Sequence, residues 1–99
     1  MNKKVRARVT WLKPEEGGRK TPPRGSTYST AARFDAIKHR WPAEAWSIVV
    51  ELPEDSGQLT MDVDVRLLAE EGAPAGLLDP GSAFDLFEGR TLVARGIVL

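Results

Sequence analysis

The chain contains no cysteine, which excludes disulfides and thiolate metal sites. That absence suits a reducing compartment, and a cytoplasmic location is the expectation. Apolar runs are only a few residues long, so no segment is expected to span a bilayer and no membrane partner is expected. Met1-Asn2-Lys3-Lys4 is basic but leads into no continuous apolar stretch, so a secretory signal is not expected either. Histidine occurs once, at His39, with no paired acid or second ligand at a spacing that would make it catalytic or metal-binding. Net charge is also missing: 14 Lys and Arg balance 14 Asp and Glu.

That balance hides a split. Residues 1–40 carry eleven bases against three acids, a surplus of eight positive charges. Residues 41–99 carry three bases against eleven acids, the mirror surplus. Two arrangements would account for it. A basic binding face could lie opposite an acidic one. Alternatively, basic strands could pair with acidic ones and neutralise them.

What is present reads as one globular domain over 1–99, with charged residues at 28% and hydrophobic residues at 41%. From Lys4 to Trp11, Val5, Ala7, Val9 and Trp11 alternate with Lys4, Arg6, Arg8 and Thr10, which predicts a half-buried strand. Pro14 and Gly17-Gly18 break it. A weaker strand is expected over Thr27 to Phe34 and a strong one over Trp46 to Leu52, stopped by Pro53 before an Asp55-Ser56-Gly57 turn. Met61, Val63, Val65 and Leu67 alternate with Asp62, Asp64 and Arg66 in a strand from Thr60 to Leu68. After a loop from Glu70 to Gly81, a hairpin is predicted from Ala83 to Phe87 and from Thr91 to Val98 around Glu88-Gly89-Arg90. Asp35 to Ala45 is ambiguous and allows one short helical turn. Six strands without a long helix predict an all-β fold, and closure into an antiparallel barrel would hide the strand edges.

Lys4, Arg6 and Arg8 form an outward basic stripe, and with Arg19, Lys20 and Arg24 they could track phosphates. The alternative is a solvated face laddered against Asp62 and Asp64. His39, Arg40 and Trp41 have the composition of a protein-binding hot spot, unless Trp41 and Trp46 cap an open barrel end. Gly17-Gly18-Arg19-Lys20-Thr21 lacks the spacing and the following helix of a P-loop, so no nucleotide cofactor is expected. Asp62 and Asp64 have no recognisable nucleophile or base near them in the sequence, so no enzyme is expected.

Val5 to Leu12, the turn Glu16-Gly17-Gly18-Arg19 with Thr21-Pro22, and Glu51-Leu52-Pro53-Glu54 follow one another in an order seen in a known domain. The final hairpin adds Phe84, Leu86, Glu88, Gly89, Val93, Gly96 and Val98 at the matching spacing. Together these residues resemble the C-terminal β-barrel domain of elongation factor Tu over nearly the whole chain. The resemblance implies a six-stranded barrel without the GTP-hydrolysing part. It also implies a non-enzymatic binding role, since that domain contacts the T-stem of aminoacyl-tRNA, the nucleotide-exchange factor and the GTPase domain. On this view tRNA or another structured RNA would meet Arg19 and Lys20, with Gly89 allowing close approach, and the charge pattern adds Lys4, Arg6, Arg8 and Arg24 to that surface. Lys20 takes the place of the family's histidine and adds a full charge. The alternative partner is a protein, bound as by an adaptor or inhibitor; association with a separate GTPase is a third possibility.

Overall fold

A computed structural model describes residues 4–19, 23, 25–53 and 58–99. Six antiparallel strands, β1 (Lys4–Trp11), β2 (Thr27–Phe34), β3 (Trp46–Glu51), β4 (Thr60–Leu67), β5 (Ala83–Glu88) and β6 (Thr91–Val98), close into a barrel in the order β1-β4-β3-β2-β5-β6. Closure leaves no unpaired edge, as the predicted strand set requires. The turn expected at Asp55-Ser56-Gly57 lies outside the described residues.

The alternation read from the sequence sets the inside of the barrel. Ala7, Val9 and Trp11 of β1 meet Met61, Val63, Val65 and Leu67 of β4 in one core with Ile48, Val50, Phe34, Phe84 and Leu86. Burying each such side chain contributes about 1.5–3 kcal/mol. Gly96 of β6 faces inward opposite Phe84, and the phenyl ring occupies the space a side chain there would need. In β6 the pairing passes from Ala94 opposite Leu86 to Leu92 opposite Phe87. Val93 is thereby the extra residue of a bulge, and both Val93 and Ala94 enter the core.

The two barrel ends are closed differently. Registers place Phe34, Trp46, Leu67 and Ala83 at one end, with Trp11, Thr27, Thr60 and Thr91 at the other. At the first end, the connection after β4 sends Leu77 and Leu78 into the core, and Trp46 and Ile37 pack against it. The ambiguous stretch forms a 3₁₀ turn over Asp35–Arg40. At the second end, a 3₁₀ turn over Pro14–Glu16 reverses the chain. Gly17 closes it at φ 88°, and Gly18 lies so close to the Leu12 backbone that a Cβ would stand 2.2 Å from the Leu12 carbonyl oxygen.

Candidate functional site

The basic stripe of β1 is on the outer wall, as its alternation predicts, and each cation there has a carboxylate. Arg8 is directly opposite Asp62 and Arg6 opposite Asp64. Arg8 donates from Nε to Asp62 Oδ1 at 2.8 Å and from Nη2 to Oδ2 at 3.2 Å. Arg6 donates to Asp64 Oδ1 at 3.2 Å and also to the Asp62 carbonyl at 3.2 Å. Lys4 reaches across to Glu51 at 3.4 Å. The bidentate hydrogen bond holds the Asp62 carboxyl below its ordinary range and raises Arg8 further. The opposite charges of the two chain halves are therefore interleaved strand by strand along this wall. Exposed, solvent-screened pairs of this kind each contribute little to stability. Their larger effect is to cancel the field a phosphate backbone would feel.

Arg19 and Gly89 come together at the second barrel end. Gly89, at φ 61°, takes the first place of the two-residue β5–β6 turn, where glycine is favoured. Arg19 forms an ion pair with Glu88 beside it, and the Tyr28 hydroxyl donates to the same Glu88 oxygen. The Arg19 guanidinium lies 5.4 Å from the Tyr28 ring centre, and Tyr28 meets Trp11 edge-on at 5.3 Å. This mouth cluster joins the loop after β1 to the final hairpin. Lys20 and Arg24, the other two cations predicted for the loop, lie outside the described residues. Lys4, Arg6 and Arg8 lie along the outer wall of β1, and Arg19 lies at the mouth.

Tyr28 gives the mouth cluster a measurable signature. Partial burial, then the hydrogen bond to Glu88 and its charge, push the phenol from 10.0 up to about 12. The folded state thus holds the proton more tightly than the unfolded chain. The stabilisation is complete below pH 10 and is lost as pH rises from 10 towards 12. Tyr28 is only half-buried, so the effect is discounted for solvent screening to about 1 kcal/mol. Tyr28 is the single tyrosine of the chain, so phenolate absorbance reports it alone. Glu88→Gln is expected to lower its titration only part of the way to 10, because burial is the first cause. A titration at the ordinary value in the folded wild type would refute this.

Trp41 does not cap the barrel end. It is half-buried against the outer wall, its ring 4.7 Å from that of Phe87 at 32°. Phe87 is opposite Ala31 on the outward register and lies apart from the central core. Arg33 covers the same ring at 5.0 Å while donating to Asp85 at 2.6 Å. Trp46 does pack at the barrel end, with its indole nitrogen donating to Glu44 at 3.0 Å. Arg40 pairs with Glu44 at 3.4 Å, and His39 is exposed. The sequence reading named Trp41 but missed Phe87 and Arg33. Their outward register was available from alternation; their meeting with Trp41 depends on β2 pairing with β5.

Among the described residues no cluster of His, Cys, Asp or Glu is arranged to hold a metal ion, and no helix is long and apolar enough to cross a membrane. No protein-family model matches the chain, and no curated protein matches it.

Proposed function

We propose that the chain is a non-enzymatic binding module that recognises a protein partner through the outer-wall patch of Trp41 and Arg33, which lie over the buried ring of Phe87, with His39 and Arg40 next to Trp41 in the chain. The observation that carries this reading is Trp41, half-buried on the outer wall and seated on the buried Phe87 ring, apart from the central core cluster. Trp, Phe and Arg are the residues enriched where proteins bury contact area, and a half-exposed Trp on a rigid wall is pre-organised for it. The resemblance to the elongation factor Tu C-terminal domain, whose barrel meets both proteins and RNA, supports a binding role. A cytoplasmic, translation-factor-like setting goes with that proposal.

A second reading, tRNA or another structured RNA, is favoured by one observation: Arg19 and Gly89 converge at the same barrel end. The wall pairs weigh against extending that surface to Arg6 and Arg8, because phosphate would have to displace Asp64 and Asp62.

The two readings separate in one experiment. Fluorescence anisotropy with mixed tRNA at low and moderate salt is run beside affinity capture of protein partners by wild type and Trp41→Ala. The protein reading expects weak tRNA binding and a captured partner whose affinity for Trp41→Ala falls about 30-fold, the loss of a ~2 kcal/mol anchor. Melting curves confirm that the variant is folded. Micromolar tRNA binding that weakens steeply with salt and is lost on Arg19→Glu would overturn it in favour of RNA.

A further inference from the structure

We infer that a groove at the β4 end of the barrel is a docking site for a basic side chain, lysine or arginine, presented by a protein partner. This site is separate from the Trp41 patch and does not depend on it. The groove has a volume of about 180 Å³, with Leu67, Leu77 and Leu78 as its floor and Glu70 and Asp79 among its lining residues. The three leucines are 5%, 3% and 6% exposed, so the floor is continuous with the barrel core.

The walls are held in place by the backbone. Ala73 N–H donates to Glu70 at 2.9 Å, forming one turn, and Asp79 N–H donates to Gly76 at 3.2 Å, forming the next. The Ser82 hydroxyl donates to the Leu77 carbonyl at 2.6 Å, and Gly81 N–H donates to the Val98 carbonyl at 2.8 Å. These bonds tie the groove to β6 and fix its shape before anything binds.

The occupant follows from charge and shape. The connection over residues 69–82 contains three acids, Glu70, Glu71 and Asp79, and no base. The Asp79 carboxylate is exposed and makes no ion pair with any described residue; it leans over Gly76, where a Cβ would stand 3.3 Å from its Oδ2. An apolar floor beneath a carboxylate rim is complementary to an alkyl stem ending in a cation. Lysine and arginine have that form: the stem covers apolar surface while the head stays at the polar edge. The volume accommodates one such side chain and no folded element.

The test is an amide-resolved NMR titration of the full chain with Nα-acetyl-arginine amide. Nα-acetyl-citrulline amide serves as the uncharged isostere and Nα-acetyl-norleucine amide as the apolar control. Saturable shifts confined to Ala73 and Gly76 to Asp79 are expected, with a Kd on the order of millimolar for a ligand of this size. Citrulline and norleucine should bind several-fold more weakly, and Asp79→Asn should weaken arginine binding about 2–5-fold. Asp79→Lys should abolish it, and dispersion of the spectra reports that both variants are folded. Equal binding of all three ligands would overturn the proposal by making the groove merely apolar. Shifts spread over the surface acids, or none that saturate, would overturn it as a site.

Discussion

Gly96→Ala is expected to cost about 3 kcal/mol of folding stability, the upper part of the range for overpacking a core. A Cβ built at Gly96 stands 2.3 Å from Phe84 Cζ, 2.4 Å from Cε2 and 3.0 Å from Cε1. The ring cannot simply swing away. Phe84 is 2% exposed and meets Phe34 at 5.7 Å between ring centres. Neither can the glycine strand retreat, because Gly96 pairs with Val9 on one side and Phe84 on the other within a closed barrel. In a domain this size that loss lowers Tm by roughly 12–24 °C. A double-mutant cycle with Phe84→Leu identifies the cause. In the leucine background, Gly96→Ala should cost less than about 1 kcal/mol, because the clashing ring atoms are gone. An unchanged cost there would show that the strand backbone, and not the ring, requires glycine.

Gly96 also shows where sequence reading succeeds and where it stops. Period-two alternation located β1 and β4, because inward residues such as Val5, Ala7 and Val9 differ from outward ones in a barrel wall, while β-branched content and the glycine turn located the others. The same alternation put Arg6 and Arg8 outside. Whether they would face solvent or Asp62 and Asp64 depended on which strand lies beside β1. The neighbour is β4, whose Asp64 and Asp62 stand 58 and 54 residues from Arg6 and Arg8, and no local pattern encodes that adjacency. The Trp41–Phe87 contact was hidden for the same reason, since it needs β2 beside β5 and a connection that folds back over their outer face. The mouth cluster was half legible. Arg19 and Gly89 were singled out in the sequence as site residues, whereas Glu88 was named only as part of the hairpin and Tyr28 carried no site signal. The register and the bulge at Val93 bring the hairpin end over β2 and make Glu88 the shared acceptor.

Trp11 offers the second large effect, and the contrast between two substitutions is more informative than either alone. Trp11→Ala should cost about 3–5 kcal/mol, enough to unfold a marginal domain, because it empties one of the largest fully buried positions. It also removes the edge-on partner of Tyr28 and loosens the mouth cluster. Trp11→Phe should cost only about 1 kcal/mol, since two changes oppose each other. Loss of the second ring leaves a small void, which is destabilising. Yet the indole Nε1 is buried without a hydrogen-bond partner among the described residues, and an unsatisfied buried donor costs about 1–3 kcal/mol that phenylalanine does not incur. Urea unfolding followed by far-ultraviolet circular dichroism measures both variants without relying on the altered fluorophore. If Trp11→Phe proves as damaging as Trp11→Ala, the indole nitrogen has an acceptor in the folded protein, an ordered water or a residue outside those described. In that case the polar network at this mouth extends inward from Glu88 and Tyr28 to the core itself.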